Sequence, residues 1–138
     1  MIEILFRAKR KNWRELPKEE WWVEGYPVKY QPCASKDEYV YGIVPTYASA
    51  LYIIEIDPET LFQYTGMNDK NGNRIWENDI VRIENSMDEG IGNIEFYGGM
   101  WYVDGEPSNS LHDIVEYDDG ELEVIGNIFD TPELLKGE

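Results

Sequence analysis

The sequence has 138 residues, 42% of them hydrophobic and 14% aromatic, which suits one domain, or a domain with a small subdomain, and excludes a wholly disordered chain. Twenty-eight acids against 12 bases leave a net charge of −16, which disfavours nonspecific binding to nucleic acid or to anionic membranes. A single cysteine, Cys33, cannot form an internal disulfide, no apolar run reaches membrane-spanning length, and Glu3 and Arg7 break the opening apolar stretch as no signal peptide would, so the expectation is a soluble cytoplasmic protein.

The charge is uneven along the chain. Residues 1–36 carry eight bases and five acids; residues 37–138 carry 23 acids and four bases. The cluster Arg7, Lys9, Arg10, Lys11 and Arg14 reads as a solvated turn, as a partner for the acidic remainder, or as a nucleic-acid patch.

IEILF at residues 2–6 alternates, placing Ile2, Ile4 and Phe6 on one face of a half-buried strand, and the polar stretch from Lys9 to Trp13 follows as a turn. Pro17, Glu19 and Glu20 can open a short helix, and Trp21, Trp22 and Val23 can begin a strand. YVYG at 39–42 and LYIIEI at 51–56 are rich in strand formers, and Asp57-Pro58-Glu59-Thr60 reads as a turn. In GMNDKNGN, residues 66–73, Asn71-Gly72 supplies the positive φ of a tight turn. IVRI at 80–83 is a strand, Gly90 and Gly92 flank a break, and Gly98-Gly99 turns the chain into MWYV at 100–103. LHDIVEY at 111–117 is a strand, Asp118-Asp119-Gly120 a hairpin signal, and LEVIGNIF at 122–129 a strand in which Gly126 marks a bulge or a close backbone approach. Pro132 to Leu135 reads as one helical turn.

Short strands at this spacing predict a mainly β protein. Residues 66–138 are expected to hold a small SH3-like barrel or curled antiparallel sheet. Residues 1–65 are expected to form a β-rich N-terminal subdomain packed on it, with little helix.

Few residues point to chemistry. Asp69, Asn71 and Asn73 are spaced like the first ligands of a calcium loop, but Arg74 stands where that loop needs glycine and Ile80 where it needs glutamate. An Asx-type turn explains them instead. Asp57, Glu59, Asp69, Glu77 and Asp79 are the densest group of turn-adjacent carboxylates, and a metal-dependent hydrolase would need them to converge on one ion, with Lys70 and Arg74 for negative charge. His112, the one histidine, neighbours Asp113 in an expected strand, where adjacent side chains diverge, and neither it nor Cys33 sits in a nucleophile motif. One Cys and one His give no zinc spacing, and there is no phosphate-binding glycine loop. No catalytic, metal or cofactor site is therefore expected. Five Trp and ten Tyr serve core packing or a binding surface, and Trp21-Trp22 with Tyr26 and Tyr30 is the best candidate for such a surface.

The stretch IDPETLFQYTGMNDKNGNRIWENDIVRI, residues 56–83, resembles the YopX family of phage and prophage proteins, whose usual form has a DPET-like turn, then Q-[FY]-T-G-L-x-D-K-N-G and I-[YF]-E-G-D-I-V. Met67 stands for the usual Leu, Trp76 for Tyr or Phe, and Asn78 for Gly. The opening around Phe6 and Arg7, WWVEGYPV at 21–28 and EVIGNIFDTPELL at 123–135 resemble three further segments. The resemblance implies a mostly β protein of a phage or prophage acting in a bacterial cytoplasm, and it brings no catalytic residues with it. Gly66, Asp69, Asn71, Gly72 and Asp79 read as a structural turn motif. The function expected is that of a non-enzymatic accessory protein that self-associates or binds a protein partner, without binding DNA directly or entering a membrane. An acidic DNA mimic that blocks a host nucleic-acid enzyme and the metal-dependent hydrolase are the alternatives.

Overall fold

In the computed structural model the described residues are 4–31, 38–47, 52–84, 89–104, 111 and 121–136. They form ten strands, all paired antiparallel, and the chain divides into two compact units, Met1–Gln63 and Tyr64–Glu138.

The first unit holds β1 (Phe6–Lys9), β2 (Trp22–Tyr30), β3 (Val40–Pro45), β4 (Ile54–Glu55) and the start of β5 (Phe62–Asn68), in the order β4-β3-β2-β1-β5. Directly paired residues share a face, so Ala8↔Val23 and Ile43↔Ile54 bring four apolar side chains to one side. With Ile56 they make the core of this unit, flanked by Tyr41 and Leu61. The N-terminal strand is displaced from its expected place. Pairing starts at Phe6, so Ile4 is 62% exposed while Leu5 is buried, and Lys9, expected in a turn, is inside the strand. The expected strand at 51–56 pairs only at Ile54–Glu55, with Ile56 bridged to Arg10: high strand propensity does not lengthen a strand beyond its hydrogen-bonded partner.

The second unit continues β5 and adds β6 (Arg74–Trp76), β7 (Asp79–Glu84), β8 (Glu89–Tyr97), β9 (Met100–Asp104) and β10 (Glu121–Asn127). The expected barrel or curled sheet is not what forms. The four strands β10-β7-β8-β9 lie in an open sheet, because β10 returns to pair with β7 while β9 stays on the other side of β8. Closure needs β9 and β10 to bond to each other, and among the described residues both are edges. One side of this sheet buries Val81, Ile83, Ile94, Val103 and Leu122 with Ile75 and Leu111.

Three glycine positions had to be read differently or more sharply. Gly90 and Gly92 do not break the chain but sit inside β8, paired with Ile83 and Val81. A Cβ on Gly92 would lie 1.9 Å from the Asp104 carbonyl oxygen, so a side chain there could not fit. Gly126 does mark a bulge: the β10–β7 register shifts between Val124 and Gly126, and a Cβ there would meet the Thr131 hydroxyl at 2.0 Å. The short 3₁₀ helix Pro132–Lys136 covers that spot. Leu111 is buried and lies outside the strands, while residues 112–120, including His112 and the expected hairpin signal, lie outside the described residues, as does Cys33.

Candidate interaction surface

Part of the N-terminal basic cluster folds onto tryptophans: Arg7, Lys9 and Arg14 lie against indole rings, while Lys11 stays exposed. Lys9 is 1% exposed. Its register opposite Trp22 turns it away from the Ala8–Val23 face, and its ammonium lies 3.8 Å from the centre of Trp13, 4.3 Å from Trp21 and 5.5 Å from Trp22. An ammonium this deeply desolvated is stabilised by the negative faces of the rings. Trp13 and Trp21 meet edge to face at 5.0 Å. Their indole N–H groups donate to the Asp57 carboxylate and to the Leu16 carbonyl oxygen. Arg7 lies over Trp22 and Arg14 over Trp13, each within 5 Å. Arg10 donates to the Glu20 carbonyl oxygen, and Lys11 pairs with Glu55 at 3.3 Å. The reading as a solvated turn therefore holds for Lys11, exposed in the turn at Lys11–Asn12 and paired with Glu55, and is corrected for Lys9, which is buried at the end of β1.

Of the four aromatic residues singled out from the sequence, Trp21 and Trp22 are half-buried in this cluster, and Trp22 also packs on Phe62. Tyr26 and Tyr30 are 51% and 41% exposed. The register Tyr26↔Val44, Val28↔Gly42 and Tyr30↔Val40 puts both tyrosines on one face with half-buried Val28, Val40 and Val44. The result is an apolar strip on β2 and β3 that continues the line of Trp22.

The turn motif is a hydrogen-bonded device. Gly66 and Gly72 have positive φ, as does Asn78, at 67°, where asparagine takes the left-handed conformation that glycine usually supplies. Asp69 is buried in its own turn. Its Oδ1 accepts the Asn71 and Asn73 amides at 2.9 and 2.8 Å, and its Oδ2 accepts the Val124 amide of β10 at 3.0 Å. Burial alone would push this carboxyl up; the amides of Val124, Asn73 and Asn71 and the Asn73 side chain outweigh it and hold the pKa below the ordinary value. Asp79 accepts the Trp76 amide at 2.8 Å, closing the β6–β7 turn around Asn78.

These geometries bear on the hydrolase alternative. Asp57 caps the 3₁₀ turn Pro58–Thr60 by accepting the Glu59 amide. Asp57 and Glu59 belong to the first unit, while Asp69, Glu77 and Asp79 belong to the second. Among the described residues no three acidic, histidine or cysteine side chains come together as metal ligands would.

Sequence reasoning missed a second aromatic surface, the β8–β9 hairpin with Phe96, Tyr97, Met100, Trp101 and Tyr102. The signal was present in FYGGMWY: aromatics flanking a two-glycine turn cannot all face inward when side chains alternate.

The sheets, the caps and the aromatic clusters define a small antiparallel β protein with minor helix. The chain belongs to the YopX family of phage and prophage proteins, matching the YopX protein family over residues 6–136. It is similar in fold to protein EF1440 from Enterococcus faecalis, whose crystal structure superposes with a TM-score of 0.57 at 22% identity, over 98% of this chain and 99% of that one. No curated protein matches the sequence. No helix among the described residues is long and apolar enough to cross a membrane.

Proposed function

We propose that this YopX-family protein acts by protein–protein contact and not by chemistry of its own, and that the contact is made by the β2–β3 strip, first with a second copy. The observation that carries this reading is the exposure of Tyr26 and Tyr30 on the same face as Val28, Val40 and Val44. Tyrosine is enriched at interface centres because its ring buries area at low entropy cost. Charge supports the location. Residues 1–63 carry eight bases and ten acids, so two copies meeting there bring together −2 each, whereas residues 64–138 carry four bases and 18 acids, or −14.

Sedimentation equilibrium at about 150 mM salt, where the Debye length is about 8 Å, tests it. The wild type should associate, and the double variant Tyr26→Ser/Tyr30→Ser should not; both residues are exposed, so the fold is kept. A wild type that stays monomeric at millimolar concentration overturns the reading. The same charge distribution leads us to expect no duplex DNA binding at that salt, to be checked by gel shift.

A further inference from the structure

We propose that the outer face of the β8–β9 hairpin binds an extended basic segment of another protein, laid along the edge of β9 with an arginine or lysine in the groove between Glu95, Tyr97, Tyr102 and Asp104. This site lies on a different unit and goes beyond the β2–β3 contact.

The register builds the groove. Asn93 pairs with Asp104, Glu95 with Tyr102 and Tyr97 with Met100, so all six share one face, while Ile94 and Val103 point to the core. Two residues of the outer face remain wet although apolar: Tyr97 is 75% exposed and Met100 44% exposed. Tyr97 and Tyr102 stand edge to face at 6.5 Å, and with Glu95 and Asp104 they line a groove of about 360 Å³. Glu95 accepts from the Asn93 side chain at 3.3 Å, which fixes it toward this face. A cation lying on the tyrosine rings would share this face with the Glu95 and Asp104 carboxylates, so ring quadrupole and charge act together.

The occupant follows from charge and from the strand's position. No Lys or Arg occurs between residues 89 and 104, and the unit around the hairpin carries −14. A second copy would set Glu95 and Asp104 against their own equivalents, which like-charge repulsion opposes. An anionic lipid surface is disfavoured for the same reason. A segment carrying Lys or Arg at alternate positions would place each base on the acidic face. Among the described residues no strand pairs with the outer edge of β9, and an extended segment laid there would add to the sheet by backbone hydrogen bonds.

The probe is a short synthetic peptide alternating Arg with Val, compared with a twin carrying Glu for Arg and with an Arg peptide N-methylated on alternate amides. Calorimetric titration of the full chain should detect the Arg peptide, more tightly at low salt, and neither comparison peptide. Glu95→Gln/Tyr97→Ser and, separately, Asp104→Asn should each weaken it by tenfold or more; all three positions are exposed, and circular dichroism confirms the fold. Tyr26→Ser/Tyr30→Ser should leave the affinity unchanged, which separates this site from the strip on β2. No binding of the Arg peptide at about 1 mM, a threshold of about −4 kcal/mol, overturns the proposal. Equal binding of the Glu or N-methylated peptide, unchanged affinity in both groove variants, or binding only to lipid vesicles overturns it as well.

Discussion

Replacing Asp69 by asparagine should cost about 2–3 kcal/mol at neutral pH. The two carboxylate oxygens accept three backbone amides, and the amide of asparagine offers only one acceptor. With that oxygen kept on Asn71 and Asn73, its NH₂ group faces the Val124 amide, donor against donor. A hydrogen bond to a charged group contributes about 1.5–3 kcal/mol and a buried donor left unpaired costs about 1–3 kcal/mol; the two overlap here, hence the figure. For a chain of this size the melting temperature should fall by roughly 6–12 °C. The pH dependence has a fixed sign. The folded pKa is lowered, so the stabilisation is present above the unfolded value of about 3.9 and is lost as pH falls through the folded one. The gap between wild type and variant should therefore be widest at neutral pH and should begin to narrow below about pH 4, as the unfolded wild type takes up a proton ahead of the folded one. Urea unfolding at pH 7 and pH 3, followed by near-ultraviolet circular dichroism, measures both. A variant within about 0.5 kcal/mol of wild type at pH 7, or a gap that stays the same at pH 3, would refute the reasoning.

Three other substitutions follow from the packing. Gly126→Ala should destabilise by about 1–3 kcal/mol in urea, because the new methyl meets Thr131 at 2.0 Å and Leu134 at 2.9 Å; full stability would show that the 3₁₀ helix yields freely. Lys9→Met keeps the stem but removes the cation from its tryptophans, and should cost about 1–2 kcal/mol and shift the tryptophan emission; an unchanged spectrum would count against the cluster. Asn78→Ala should cost about 1–2 kcal/mol while Asn78→Gly stays within a few tenths or gains, since φ is 67°; equal effects would mean that backbone conformation is not what selects asparagine there.

The legible parts of the fold were those with local causes. Asn71-Gly72, Gly98-Gly99 and Asn78 announce themselves because positive φ is a property of one or two residues. The bulge at Gly126 and the final helical turn were likewise readable. What escaped depends on partners distant in sequence. Whether four strands close or stay open is decided by where β10 pairs, and nothing in LEVIGNIF names β7 as its neighbour. Lys9 looks solvated in a run of bases, and only the pairing of β1 with β2 reveals that it faces Trp22. The same applies to the candidate surface: Tyr26 and Tyr30 were identified by type, but that Trp21 and Trp22 are held around a lysine required the register.

The position of β10 has a consequence for synthesis on the ribosome. β7 carries Ile80, Val81 and Ile83, and one of its two edges is covered by the last strand of the chain. Thirty-six residues separate the end of β7 at Glu84 from the start of β10 at Glu121. At about 5–20 residues per second that leaves a strongly apolar strand with one open edge for roughly 2–7 seconds of elongation. Asp69 waits over the same interval for the Val124 amide. A message cut short before codon 121 would leave the edge open for good. Such a fragment should collect in the pellet while the full chain stays in solution, and comparing the two by translation in vitro would show it.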